Sequence, residues 1–274
     1  MTDLVVRRLL IDLETPFARH WNGGDAFRTA FFNALSMSFP RGEQYFIDSV
    51  RSGLKSLPEA ERARHAAEVQ GFVGQEATHR RMHGLFNGHL LSQGHVNRIE
   101  QRAQARIEAN AHLDLRNHLA ATAATEHFTA LFADWMLRHP EALEGAEPRL
   151  QTLWLWHSAE ESEHRCTAFD IYRAAGGNEF WRLRVFRAVT AIFLADLLRQ
   201  TVRNLWHDGC LFQWRTWRSA YRLLFRRDGL LRGNLALWRD YLRADFHPGQ
   251  HDAALSQQWL LDHRAQFSVV GQQA

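Results

Sequence analysis

Apolar residues along this chain recur at three- and four-residue intervals, and the two-residue alternation of a half-buried strand is almost absent. That spacing predicts amphipathic α-helices. Ser38-Phe39-Pro40-Arg41 reads as a helix start with proline in the first turn, and Phe46, Ile47 and Val50 form the inward stripe of a helix to about Leu57. Pro58 opens a second helix, which runs to about Ser92 before Gly94. A third is expected from about Asn97 to Arg138, against Pro140, and a fourth from about Pro148 to Ala175, stopping at Gly176-Gly177. Residues 1–37 hold a lead-in and a shorter helix from about Asp25. Beyond Asn178, helices are expected over about 178–207, 211–226, 230–244 and 253–266, broken near Gly209, Gly229 and Pro248. Four long antiparallel helices with short connections make a bundle. The fold class is therefore all-α: a four-helix bundle over about 25–176 with a C-terminal helical extension over about 178–268, in one domain spanning 1–274.

Composition narrows the class. Apolar residues are 46% and charged residues 23% of the chain, as in a soluble globular protein. The net charge is only +3, and the basic side chains are arginines apart from Lys55. With no basic tail, no Cys₂His₂ spacing and no Gly-rich phosphate loop, nucleic acid is not an expected partner. Cys166 and Cys210 form no disulfide framework, which fits a reducing cytoplasm. The opening MTDLVVRRLLIDLET has charges through its apolar run and no cleavage site, unlike a signal peptide. The longest membrane-like stretch, Val185 to Leu198, is interrupted by Arg187 and Asp196.

The chemistry lies in Glu and His at helical spacing. A Glu and a His three positions apart share one helix face, which is how bundles offer a carboxylate and an imidazole to one metal. The chain has Glu76-Ala-Thr-His79 on the second expected helix and Glu161-Ser-Glu-His164 on the fourth. The first and third each carry a Glu within an apolar stripe, Glu43 and Glu126. The order Glu, ExxH, Glu, ExxH is the ligand pattern of di-iron and di-manganese carboxylate bundles. His157, Glu161 and His164 fall at i, i+4 and i+7, so His157 is a candidate third imidazole ligand. Glu160 also lies near that face, but the spacing to His164 favours Glu161. Glu160 is then expected to accept the other N–H of a ligand imidazole, with Gln75 as its equivalent on the second helix. Glu163 is expected to be solvated and His83 to be a pocket or surface histidine.

The strings SMSFPRGEQYFIDSVR, GQEATH, ATEHFTA and WHSAEESEHRCTAFDIY resemble a bacterial, ferritin-like family of predicted metal-dependent hydrolases, from about residue 15 to the FHPG at 246–249. That resemblance implies a ferritin-like bundle and a metal-dependent reaction. The ligand pattern alone, Glu43, Glu76, His79, Glu126, His157, Glu161 and His164, is similar to that of the di-iron N-oxygenases that oxidise arylamines, in which the added histidine on the last helix is a ligand.

The expected function is an O₂-activating dinuclear enzyme holding two metal ions, iron or alternatively manganese or a mixed Mn/Fe pair. It would act on a small or lipid-like organic substrate with an electron donor. The alternatives are a two-metal hydrolase using a bridging hydroxide and a non-catalytic metal-binding bundle. In the extension, Trp206, Trp214, Trp217 and Trp238 alternate with Arg203, Arg215, Arg218, Arg222, Arg226, Arg227, Arg232 and Arg239. A packed layer with Trp inward and Arg outward, which also suits a homodimer interface, is expected ahead of peripheral membrane contact.

Overall fold

A computed structural model describes residues 4–271; positions 1–3 and 272–274 of the expected 1–274 domain lie outside the described residues. The fold is an all-α bundle with one small strand pair. Its elements are β1 (Arg7–Leu9), α1 (Ala26–Ser56), α2 (Glu59–Ser92), α3 (Arg98–Ala109), α4 (Leu115–Arg138), α5 (Pro148–His164) and α6 (Thr167–Ala174), followed by α7 (Glu179–His207), α8 (Trp214–Leu224), α9 (Leu230–Gly233), α10 (Leu235–Asp240), α11 (Ala254–Asp262) and β2 (Phe267–Val269).

Several expected boundaries are corrected. The break at Ser38–Pro40 is not there: α1 runs through Pro40 as one helix capped by the Asp25 side chain. Proline has no N–H for the Ser36 carbonyl one turn back. Asn87 Nδ2 donates to that carbonyl instead, at 2.9 Å, so a side chain from α2 keeps the helix intact. The expected third helix is two, α3 and α4, separated at 110–114 with Asp114 capping α4. The reason is topological. Along α2 the core residues run from Val69 to Leu90, and along α4 from Leu119 to Met136, from the same end of the bundle to the same other end. The chain must return between them, and α3 carries it back across α1 and α7. The connectivity thus has one long crossover rather than short antiparallel turns throughout. The fourth helix divides at Arg165–Cys166, where Arg165 Nε donates to the Ser162 carbonyl at 2.8 Å and its other nitrogens reach Asp134. The expected 230–244 helix is the two short pieces α9 and α10.

The strand pair was not expected. β1 and β2 are antiparallel, with Arg7 opposite Val269 and Leu9 opposite Phe267. The segment leading into β1 lies directly on α2, and at Gly71 a Cβ would come within 2.5 Å of Leu4. That glycine is what permits the close approach.

Two apolar clusters fill the interior, and each draws residues from both bundle and extension. One holds Trp21, Phe32, Phe39, Phe86, Trp154 and Leu205; the other holds Phe46, Val50, Phe72, Leu119, Ile171 and Phe186. On α1, α2 and α5 the chain passes from one cluster to the other, and in each case the transition falls at the Glu and His positions. Glu43 lies between Phe39 and Phe46, Glu76 and His79 between Phe72 and Met82, and Glu161 and His164 between Ala159 and Ala168. The sequence therefore builds a polar layer into an apolar bundle.

Candidate metal centre

All seven predicted ligands meet in that layer, and each is at most 4% exposed. They form two groups, in each of which the donor atoms lie within 4.8 Å of one another: Glu43, His79 and His157; and Glu76, Glu126, Glu161 and His164. Glu161 touches both. Its Oε1 is 2.8 Å from His157 Nε2 and 3.5 Å from His79 Nδ1, while its Oε2 is 3.3 Å from His164 Nε2. His164 Nε2 also lies 3.1 Å from Glu76 and 3.4 Å from Glu126.

These atoms fit cations better than they fit one another. Both carboxylate oxygens of Glu43, Glu76 and Glu126, with Glu161 Oε2, His79 Nδ1 and His164 Nε2, are buried without a hydrogen-bond partner. Buried polar groups are almost always paired, so such a concentration points to a ligand. The separations match neighbouring donors on one ion, which sit about 3 Å apart when metal–ligand bonds are about 2.1 Å. Protonation tells the same story. Burial, reinforced by Glu76, pushes Glu43 well above the carboxylate range; burial also pushes up Glu76 and, strongly, Glu126. For Glu161 burial acts upward, but the charge of His164, the largest opposing influence, outweighs it and holds the group well below that range. Four carboxylates this close cannot all ionise without added positive charge. Divalent cations would supply it.

Each ExxH histidine is oriented from the opposite helix by the residue preceding that helix's ExxH glutamate. Gln75 Oε1 accepts from His164 Nδ1 at 3.0 Å, and Glu160 Oε2 accepts from His79 Nε2 at 2.9 Å. Both residues have the orienting place read from the sequence. Each leaves the other ring nitrogen aimed at the carboxylates. The orienting groups differ in charge, an amide at His164 and a carboxylate at His79, yet both rings are raised; for His164 burial acts downward, but Glu161 and Glu126 outweigh it. Burial lowers His79, but Glu160 and Glu161 outweigh it and raise it to about 10. Glu160 is itself balanced by Arg7, 3.1 Å away. Arg7 also makes a two-point contact with Glu163, at 2.6 and 3.0 Å, and Glu163 accepts from Gln75 Nε2 at 2.9 Å. Glu163 is therefore part of this network, not a solvated side chain.

His157 is fixed by a chain of hydrogen bonds with one direction. Asn87 Nδ2 is committed to the carbonyl freed by Pro40, so Asn87 Oδ1 faces Ser36 and accepts its hydroxyl proton at 2.7 Å. Ser36 Oγ then accepts from His83 Nδ1–H at 2.9 Å, and His83 Nε2 accepts from His157 Nδ1–H at 2.7 Å. That leaves the His157 Nε2 lone pair facing Glu161 Oε1, which is the tautomer a metal ligand requires. The neutral rings agree with this. Burial and the neighbouring His157 keep His83 well below its ordinary value, and burial and His79 bring His157 to about 4. His83 is fully buried, which corrects its expected place in a pocket or at the surface. The repeat His79, His83, Asn87 at four-residue spacing was readable as one helix face. Arg7 gave no signal, because no periodicity marks a short strand that lies on α2 and pairs with β2.

A third cluster, His95, His207 and Asp208, lies outside this layer. There Arg19 is 3.1 Å from the Asp208 carboxylate and already supplies its positive charge.

The family model for predicted metal-dependent hydrolases matches residues 5–252, and the chain belongs to that family. Comparisons with curated proteins and with solved structures gave no match. Among the described residues, no helix is long and apolar enough to cross a membrane.

Proposed function

We propose that the chain is a dinuclear carboxylate enzyme. It would hold two irons, with manganese or a mixed pair as alternatives, and activate O₂ to oxidise or oxygenate a small or lipid-like substrate. The observation that carries this reading is the pair of donor groups joined by Glu161 and sealed from water. Glu43, His79 and His157 would hold one ion, and Glu76, Glu126 and His164 the other, with one oxygen of Glu161 directed at each. The donors are all oxygen and imidazole nitrogen, with four carboxylates and no thiolate, a set suited to iron or manganese. Two bound irons would supply the electrons and the coordination positions for reducing O₂, with a separate donor restoring the electrons.

The chain's own residues orient and exclude. Glu160 and Gln75 hold the two ExxH imidazoles, and His83 holds His157. Phe39 packs on His157 with ring centres 4.8 Å apart, Phe72 on His164 at 5.0 Å and Trp156 on His79 at 5.0 Å. Such walls keep bulk water away from a reactive centre. The single crossover through α3 supports a ferritin-like bundle. The shared apolar clusters support one domain, and the free thiols Cys166 and Cys210 support a cytoplasmic setting.

The family description favours a second reading, hydrolysis at the same two ions, in which they would polarise a carbonyl or phosphoryl oxygen. Metal content after anaerobic purification, followed by the absorption spectrum on adding O₂, separates the two. Two irons per chain and an O₂-dependent spectral change are expected. Two zinc or manganese ions with no response to O₂ would replace the oxidative reading with the hydrolytic one.

A further inference from the structure

α8 is amphipathic in the reverse of the usual sense. Its inward face is made of Thr216, Ala220 and Leu223, all buried. Its solvent face carries Trp214, Trp217 and Tyr221, continued by Phe225 at the helix end; Trp214 is 77% and Tyr221 58% exposed. At about 100° per residue these four rings fall within about 80° of one another. Phe212, in the loop before α8, is 84% exposed and contacts the exposed Trp206 edge to face at 6.0 Å. The expected layer with Trp inward is therefore overturned for Trp206, Trp214 and Trp217, while Trp238 does pack against the interior cluster.

Charge gives this apolar stripe its partner. Arg215, Arg218 and Arg222 lie along one flank of the rings, and Arg226 and Arg227 follow the helix. All five are exposed, and none has an ion pair among the described residues. From Gly209 to Arg227 there is no acidic residue. Some arginines elsewhere are held by carboxylates, as Arg7, Arg102, Arg165 and Arg182 are, but among the described residues no carboxylate lies along this face. A twofold contact between copies of this face would set arginine against arginine. Bare indole and phenol rings flanked by arginines match the headgroup region of an anionic bilayer, where the rings reach the acyl boundary and the guanidinium groups meet phosphate.

We infer that the outer face of α8, with Phe212 and Trp206, docks this protein on an anionic lipid surface. This surface lies outside the metal layer and does not depend on which reaction occurs there. The test is co-sedimentation of the full chain with vesicles of phosphatidylcholine alone and of phosphatidylcholine mixed with phosphatidylserine. Binding to the mixed vesicles is expected to be at least about tenfold tighter and to weaken with salt. Arg215→Glu with Arg218→Glu and Arg222→Glu is expected to lower affinity at least about a hundredfold. Phe212→Ser with Trp214→Ser should lower it about tenfold or more. Both variants should keep the wild-type circular dichroism and metal content. The inference is overturned if wild-type protein stays in solution with the mixed vesicles, or if both folded variants bind like wild type. It is also overturned if the face instead supports self-association or binds a single-stranded oligonucleotide more tightly than the vesicles.

Discussion

Around Glu161 four carboxylates and three imidazoles are withdrawn from water, whereas on α8 and the loop before it five aromatic rings are left in it. Both regions depart from the usual partition of polar and apolar groups, in opposite directions. In the bundle layer the departure costs stability unless cations enter, because the carboxylate oxygens have no protein donors. On α8 the cost is borne by solvent, and the helix stays in place through the small inward residues Thr216 and Ala220. A buried polar site constrains its whole surroundings, while an exposed apolar stripe constrains almost nothing within the fold. Substitutions in the two regions should therefore differ sharply in reach.

The largest effect is expected for Glu161→Ala. Because one side chain serves both donor groups, both ions should be lost, and elemental analysis should find less than one metal per folded chain; retention of two would refute the bridging role. Glu126→Leu separates metal binding from stability. It should remove an ion yet stabilise the metal-free protein by about 1–3 kcal/mol, since burial holds that carboxyl far above its ordinary pKa and no protein donor meets it. Thermal unfolding of both proteins in chelator checks this, and a lower midpoint for the variant would contradict it. A smaller loss is expected at a distance: Ser36→Ala breaks the chain that sets the His157 tautomer. Competitive titration with Co(II) should show one of the two sites weakened about 10–100-fold and the other unchanged. The smallest effect belongs to the other region. Phe212→Ser should move stability by no more than about 0.5 kcal/mol in chemical denaturation and leave metal content alone.

Legibility followed the same divide. The seven converging side chains could be read because ligand spacing on a helix is local: i, i+3 and i+4 fix a face wherever the helix goes. Glu160 and Gln75 were readable for the same reason. Several helix breaks were not, because their determinants come from elsewhere in the chain. Pro40 is a stop signal by local rules, and only Asn87 on another helix makes it harmless. The break after α3 is dictated by the need to return to the far end of the bundle. Arg7 becomes part of the site through strand pairing with residues near 268, which no periodicity announces. The α8 stripe was visible as a pattern, but amphipathicity alone does not say which of two faces turns inward. Thr216 and Ala220 decide it, because a face with small residues at its centre approaches the bundle more closely than a face of indoles.

The strand pair also sets an order of events during synthesis. The ligand-bearing helices are complete once His164 has been made, yet the guanidinium that balances Glu160 rides on β1, and Arg7 rests over the Phe267 ring of β2 at 5.5 Å. Until the chain has been translated past Val269, β1 rests on α2 without its partner strand and without the Phe267 ring over Arg7. The ligand-bearing helices thus come together ahead of the strand that latches β1 across them, so the vessel is shaped before it is fastened.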